Sequence, residues 1–107
     1  MGLQRISARE LRARLDRGDT LVLLDVREPG ETALCQIAGS KLIPMRDVPR
    51  RVGELDPAAA VVCVCHHGVR SAQVAGWLAG QGFADVLNLT GGIDAWAEEV
   101  DPSMARY

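Results

Sequence analysis

Two short and almost continuous apolar runs constrain the fold of this chain more than any other feature of its sequence. The run from Leu21 to Val26 is broken only by Asp25, and the run from Val61 to Cys65 is apolar throughout. A strand covered on both faces of a sheet has this continuous pattern, whereas a strand with one wet face alternates. The second run leads through a polar loop into a helical pattern, so the sequence predicts crossover units in a parallel sheet with helices on both sides.

Caps and turn residues predict the other elements. Ser7, followed three residues later by Glu10, is a capping-box signature and predicts a helix from about Ala8 to Arg17. Further strands are predicted at Lys41 to Ile43 and at Asp85 to Leu89. Three further helices are predicted. One begins at Asp47 and stops before Pro57, one follows the loop after Cys65 and ends between Leu78 and Gly82, and the last begins after Gly91 and Gly92.

Composition excludes several classes of function. The chain has 107 residues, 48% of them hydrophobic and 24% charged, which is the balance of one globular domain. A net charge of -2 and four aromatic residues offer neither a basic field nor stacking platforms. No targeting or spanning segment is visible. We therefore expect a cytoplasmic protein with no nucleic-acid or membrane partner.

The three cysteines are expected to be reduced thiols, because their number is odd and no secretory segment precedes them. Cys65 ends a buried strand and a helix follows within a few residues. A cysteine so placed lies over loop N–H groups and the positive end of a helix dipole, which favour thiolate. Gly68 permits the turn, and Arg70 adds positive charge. The segment CHHGVRS therefore predicts a nucleophilic cysteine in a loop that also binds an anion or a persulfide.

Simpler interpretations of the same residues remain open. Cys65 could be a small hydrophobic residue at a strand end, Cys63 is expected in the core, and Cys35 is expected in a partly exposed loop. His66 and His67 with the nearby cysteines could suggest a metal site, but alternating strand residues diverge and no second ligand pair follows. No metal is expected, and the two histidines are predicted to line the loop beside an anionic substrate.

Four segments, in this order, resemble the motifs of the rhodanese family of sulfurtransferases. They are DVREPGE at Asp25 to Glu31, IAGSKLIP at Ile37 to Pro44, CHHGVRS at Cys65 to Ser71 and GFADVLNLTGGIDAW at Gly82 to Trp96. The resemblance spans nearly the whole chain. It departs at Cys35-Gln36, where the family usually has Gly-His, and at Ser40, where it usually has Ala. Both departures lie outside the active-site loop.

The resemblance implies an α/β fold: a single rhodanese domain over residues 1–107, built as a three-layer sandwich with a central, mostly parallel sheet of about five strands. It implies a thiosulfate sulfurtransferase without a cofactor, in which Cys65 is the nucleophile and forms a persulfide. His66, His67, Gly68, Val69 and Arg70 would bind the substrate. The acceptor would be cyanide in vitro and a cellular or protein thiol, such as that of a thioredoxin-like protein, in the cell.

Two resembling positions and two other functions stay undecided at this level. Asp25 and Arg27 match positions that support the loop, either by contacting substrate or as a buried ion pair at the strand end.

Cysteine-dependent phosphatases and arsenate reductases place five residues between cysteine and arginine, whereas four separate Cys65 from Arg70. The remaining alternative is a non-catalytic sulfur-carrier or protein-binding module. The order of the ending EVDPSMARY is also undecided.

Overall fold

The fold is organised around a five-stranded sheet in which every neighbouring pair is parallel. The computed structural model describes residues 3–107. The strand order is β1-β5-β4-β2-β3. The strands are β1 (Leu3–Ile6), β2 (Val22–Asp25), β3 (Lys41–Leu42), β4 (Ala60–Val64) and β5 (Asp85–Leu89). The predicted α/β class with a parallel sheet is confirmed.

Helices cover both faces of this sheet. They are α1 (Ala8–Asp16), α2 (Pro29–Thr32), α3 (Val48–Arg51), α4 (Val69–Gly80) and α5 (Gly92–Glu99). Residues of α3 and α4 share one core cluster, and residues of α1 and α5 share the other. Alternate residues of β4 point into opposite clusters, with Cys63 in the first and Val62 in the second. The three-layer arrangement follows from this division.

No helix within residues 3–107 combines the length and the apolar character needed to cross a bilayer.

The capping box is formed as the sequence predicts. Ser7 Oγ accepts a hydrogen bond from the Glu10 amide at 3.1 Å, and Glu10 Oε1 accepts one from the Ser7 amide at 3.0 Å. The helix that follows ends at Asp16, one residue before the predicted end. This reciprocal pair satisfies two amides that no carbonyl of the helix can reach.

Three elements differ from the sequence-based expectations. Strand β1 was not predicted, because it lies at the sheet edge and only Ile6 of its LQRI segment is buried. Helix α2 forms shortly after β2, in a segment for which no helix was predicted. The single helix predicted from Asp47 is instead the four-residue α3, flanked by 3-10 turns at Met45–Asp47 and Val52–Glu54. Pro49 lies in the first turn of α3, where a missing N–H is tolerated, and the helix gives way to a 3-10 turn only at Val52, next to Gly53, a residue of low helix propensity.

The core predicts a clear contrast between two leucines. Leu78 on α4 is fully buried, whereas Leu34 is 55% exposed. We expect Leu78→Ala to lower the free energy of unfolding by about 2–5 kcal/mol, because it leaves a cavity, and Leu34→Ala to change it by less than about 0.5 kcal/mol. Chemical denaturation measures both. Equal effects would contradict this assignment of the core.

Candidate functional site

The carboxyl ends of β2 and β4 place two loops side by side. Asp25 at the end of β2 is in register with Val64 at the end of β4. The chain beyond each strand therefore emerges at the same edge of the sheet, where ligand sites of open parallel sheets lie. The loop after β4 begins with Cys65, and the segment after β2 carries Arg27.

Cys65 lies at the floor of its loop and is 1% exposed. Its Sγ accepts hydrogen bonds from the amides of Gly68 at 3.1 Å and Ser71 at 3.3 Å. Ser71 Oγ lies 3.2 Å from the same sulfur. Donors arranged in this way stabilise negative charge on sulfur, because they replace the water that burial removes. The predicted nucleophile is thus surrounded by hydrogen-bond donors.

The other amides of the loop are left available to a ligand, and we call the loop from Cys65 to Arg70 with these amides the cradle. Within residues 3–107, the N–H groups of His66, His67, Val69 and Arg70 have no hydrogen-bond acceptor. Gly68, at φ +98°, turns the chain directly into α4. N–H groups left unpaired at a helix start can bind an anion. The structure therefore brings together the five residues predicted to bind substrate.

Amides at the start of α5 bind two carbonyls of the loop. The carbonyl of Cys65 accepts a hydrogen bond from the Ile93 amide at 2.8 Å, and that of His66 accepts one from the Asp94 amide at 3.1 Å. Gly92 makes this approach possible, since its φ is +61° and a Cβ there would overlap both carbonyl oxygens. Gly92, the first residue of α5, is therefore part of the site.

A fully buried ion pair joins Asp25 and Arg27. The two side chains are 1% and 0% exposed, and their shortest contact is 2.7 Å. Arg27 also donates hydrogen bonds to the carbonyl of Cys35 at 2.8 Å and to the hydroxyl of Tyr107 at 3.0 Å. Burial opposes its charge, but the bonds to Asp25 and Tyr107 hold the pKa of Arg27 above its usual value. Of the two interpretations, the structure shows the ion pair.

Arg70 is paired with a carboxylate that the sequence analysis did not single out. Its guanidinium donates two hydrogen bonds of 2.8 Å to the oxygens of Glu31. Tyr107 donates a third to Glu31 at 2.9 Å. Chiefly because of Arg70, the pKa of Glu31 falls to about 2, despite partial burial that opposes the shift. The positive charge of Arg70, which was expected to face an anionic substrate, is therefore paired with the negative charge of Glu31.

The end of the chain packs against the loop as an ordered clasp. The ring of Tyr107 stacks on that of His66 at 3.8 Å, and His66 stacks in turn on His67 at 3.9 Å. Arg106 contacts Asp94 at 3.0 Å. Nothing in the sequence pattern marks Tyr107, since its partners are far away along the chain.

His66, His67 and Asp94 each place one potential metal ligand within 4.8 Å of the others. The two imidazole rings are stacked, with only 26° between their planes. The nitrogen lone pairs therefore run side by side and do not meet at one ion, as coordination requires. This geometry gives no support to a metal at the loop.

The three cysteines differ in their surroundings. Cys63 is fully buried, and desolvation, with a smaller contribution from Cys65, raises its pKa to about 12. It packs in the core, as expected, and is unsuited to act as a nucleophile. Cys35 is half-buried, and its Sγ lies 3.9 Å from a guanidinium nitrogen of Arg27.

Two polar side chains behind Cys65 were given no role by the sequence analysis. Ser71 Oγ lies 2.5 Å from Asn88 Oδ1, and Asn88 Nδ2 donates to the Gly68 carbonyl at 3.1 Å. Ser71 closes the quoted motif CHHGVRS, and Asn88 interrupts the apolar strand β5. A polar residue in a buried strand was the available signal, because such a group needs partners inside the fold.

The family model that describes a rhodanese-like domain matches residues 7–99. A sulfurtransferase of Allochromatium vinosum is 38% identical over 100 residues, which cover 94% of each chain. The rhodanese-like/PpiC domain-containing protein 12 of Arabidopsis thaliana, a chloroplast protein, is 42% identical over 93 residues, or 83% of this chain. The crystal structure of a rhodanese-like domain protein from Staphylococcus aureus superposes with a TM-score of 0.83 at 33% identity, covering 100% of this chain and 99% of that one.

Coverage differs among these relatives. The chain spans 31% of the length of the Arabidopsis protein. Relatives of that kind carry further regions that have no counterpart in these 107 residues.

Gly92 and Gly76 form a matched pair for testing how the loop is held. Gly92→Ala should lower the free energy of unfolding by about 2–4 kcal/mol, because a Cβ there meets two carbonyl oxygens at positive φ. Gly76 lies on the exposed face of α4 with open space around it, so Gly76→Ala should raise that free energy by about 0.5–1 kcal/mol. Denaturation curves measure both. A neutral Gly92→Ala would show that the contact with α5 is dispensable.

The Glu31–Arg70 pair predicts a defined loss of stability in acid. A depressed carboxylate pKa contributes stability that is fully present above the ordinary value of 4.5 and is lost as the pH falls to about 2. Glu31→Gln should therefore be less stable than the wild type near neutral pH, and the difference should shrink between pH 4.5 and about 2. Urea denaturation at several pH values tests this. In the control, Glu98→Gln on the exposed side of α5, the curve should stay close to that of the wild type.

Proposed function

The chain belongs to the rhodanese-like domain family, and we propose that it is a sulfurtransferase whose Cys65 carries sulfur as a persulfide. One observation carries the proposal. Cys65 Sγ accepts two backbone hydrogen bonds at the floor of a loop whose four other amides have no acceptor within residues 3–107. The same loop can therefore stabilise a thiolate and hold an added, negatively charged sulfur atom.

The reaction consists of two displacements at sulfur. In the first, the Cys65 thiolate attacks the outer sulfur of thiosulfate, the sulfur–sulfur bond of the donor breaks, and sulfite leaves with the electron pair. The terminal sulfur of the new persulfide is then negatively charged and lies among the free amides. In the second, a nucleophilic acceptor attacks that terminal sulfur, and Cys65 leaves as thiolate. Cyanide serves as acceptor in vitro, and a cellular or protein thiol serves in the cell.

The side chains of the loop have distinct roles in this proposal. The amides of His66, His67 and Val69 bind the anionic group, and Gly68 provides the turn. Arg70 stabilises the closed loop through Glu31, and it contributes positive charge to a donor that approaches the same edge. No metal or cofactor takes part in either step.

The spacing of the loop favours sulfur over phosphate. Cysteine-dependent phosphatases have five residues between cysteine and arginine, and their loop is wide enough for a tetrahedral phosphate. Only four residues separate Cys65 from Arg70, so this shorter loop favours a sulfur atom as the group that is bound. The residue before the cysteine is Val64, which is buried in the sheet. A protein thiol, such as that of a thioredoxin-like protein, is a suitable acceptor because His67 and Val69 of the loop are exposed.

The test is the mass of the intact protein after treatment with thiosulfate and removal of small molecules. The wild type should gain the mass of one sulfur atom, and should lose it again on addition of cyanide with formation of thiocyanate. Cys65→Ser should do neither, because it removes the attacking sulfur. The matched controls are Cys63→Ala and Cys35→Ser, which should retain most of the activity since the loop amides donate to Cys65 Sγ and to neither of these sulfurs.

Three results would contradict the proposal. Equal loss of the adduct in Cys63→Ala would remove Cys65 as the sole nucleophile. Absence of any adduct or thiocyanate in the wild type would favour a non-catalytic binding module. Hydrolysis of an aryl phosphate that depends on Cys65 would assign the cradle to phosphate.

A further inference from the structure

Asn88 places a polar amide inside the apolar strand β5, where it is 8% exposed. Its backbone neighbour on β4 is Cys63, so its side chain lies close behind the loop. Nδ2 donates to the carbonyl of Gly68 at 3.1 Å, and Oδ1 lies 2.5 Å from Ser71 Oγ. Both ends of the amide are therefore bonded to the segment that surrounds Cys65.

Donor and acceptor chemistry fixes the direction of these bonds. The Gly68 carbonyl can only accept, so the amide atom that faces it is the NH₂ group, and the amide oxygen faces Ser71. That oxygen also can only accept. The bond between the two side chains therefore uses the hydroxyl proton of Ser71.

The single hydroxyl proton of Ser71 has two possible hydrogen-bond acceptors. Its Oγ is 2.5 Å from Asn88 Oδ1 and 3.2 Å from Cys65 Sγ. A hydroxyl donates one hydrogen bond, so it serves either the amide oxygen or the sulfur at any moment. Burial makes the choice consequential, because Ser71 and Cys65 are 0% and 1% exposed and no water replaces the missing partner.

The protonation of sulfur decides which partner is served. When Cys65 is a thiol, its S–H donates to Ser71 Oγ and the hydroxyl donates to Asn88. When the thiol has released its proton to solvent, the hydroxyl turns about the Cβ–Oγ bond and donates to the thiolate. No heavy atom moves and no proton passes between residues.

We propose that Ser71 and Asn88 form a two-position hydroxyl switch that sets the balance between thiol and thiolate at Cys65. Ser71 favours the thiolate, since only the charged sulfur accepts the hydrogen bond of its hydroxyl. Asn88 favours the thiol, since it holds that proton while the sulfur is neutral. Asn88 touches no reacting atom and is a positioning residue that acts through Ser71.

The switch has a place in sulfur transfer, and in this respect it rests on the proposed function. In the persulfide the charge has moved to the outer sulfur, so the hydroxyl of Ser71 can return to Asn88. When an acceptor removes the outer sulfur, the leaving Cys65 thiolate again accepts the hydrogen bond of the Ser71 hydroxyl. Each half-reaction therefore turns the hydroxyl once.

A purely structural role for Asn88 makes a different prediction. Its bond to Gly68 ties β5 to the start of α4, but the same carbonyl also accepts from the Ala72 amide at 3.3 Å. Removing the amide therefore leaves that carbonyl with one partner. A structural tie would change stability without moving the pH dependence of Cys65.

The test is the rate of alkylation of Cys65 by iodoacetamide, measured from about pH 5 to about pH 10, the range in which cysteine thiols titrate. Tandem mass spectrometry separates Cys65 from Cys63. Ser71→Ala should move the midpoint of the rate profile up by about one pH unit, because the thiolate loses a charge-assisted bond. Asn88→Leu should move it down by about half a pH unit, because the thiol state loses a neutral bond.

The double variant identifies the path of the effect. Since Asn88 acts only through the hydroxyl, Ser71→Ala with Asn88→Leu should have the midpoint of Ser71→Ala alone. Shifts in the same direction in both single variants, additive shifts in the double variant, or unchanged midpoints would each overturn the switch.

A second variant covers the case in which the first does not fold. If Asn88→Leu does not fold, as judged by thermal unfolding, Asn88→Ala removes the same amide without added volume and should also lower the midpoint; an unchanged or raised midpoint overturns the switch. Alkylation needs no sulfur donor, so this result is independent of whether thiosulfate transfers sulfur. A protein that alkylates as expected but forms no persulfide would retain the switch and lose the proposed function.

Discussion

The buried ion pair of Asp25 and Arg27 is the constraint on which the candidate site depends. A guanidinium that is fully inside the protein must have all of its charge and donors satisfied, because an unpaired buried charge is strongly destabilising. Asp25 meets the charge, and the remaining donors reach the carbonyl of Cys35 and the hydroxyl of Tyr107. One side chain thus fixes the end of β2, the segment after α2 and the end of the chain.

From this ion pair the arrangement extends to the loop. Tyr107 donates to Glu31, and Glu31 holds Arg70 at the first turn of α4. On the other side, the amides at the start of α5 bind the carbonyls of Cys65 and His66. The loop is therefore fixed through its carbonyls and the side chain of Arg70, and within residues 3–107 the N–H groups of His66, His67, Val69 and Arg70 have no acceptor. In the proposed function, this division lets a short segment supply both the nucleophile and the amides that bind an anion.

The sequence predicted those elements whose pattern is local and strong. Strands β2 and β4 were predicted to within one residue at each end, since continuous apolar runs mark strands buried on both faces, and β5 was predicted with the bounds it has. Strand β1 could not be found this way, because an edge strand has one neighbour and its exposed residues carry no apolar pattern. Between Met45 and Glu54 the local pattern suggested one helix, whereas the chain forms a short helix flanked by two 3-10 turns, the second of which contains Gly53, a residue of low helix propensity.

The same distinction holds for the site. The sequence by itself determined the loop from Cys65 to Arg70, because a strand end, a turn and a helix start lie together within a few residues. Only the tertiary structure decided which partners Arg70 and Ser71 have, since Glu31 is 39 residues from Arg70, and Asn88 is 17 residues from Ser71. Such partners are chosen by the crossing of distant segments in a closed core, where each buried polar group must find a complement that no local pattern specifies.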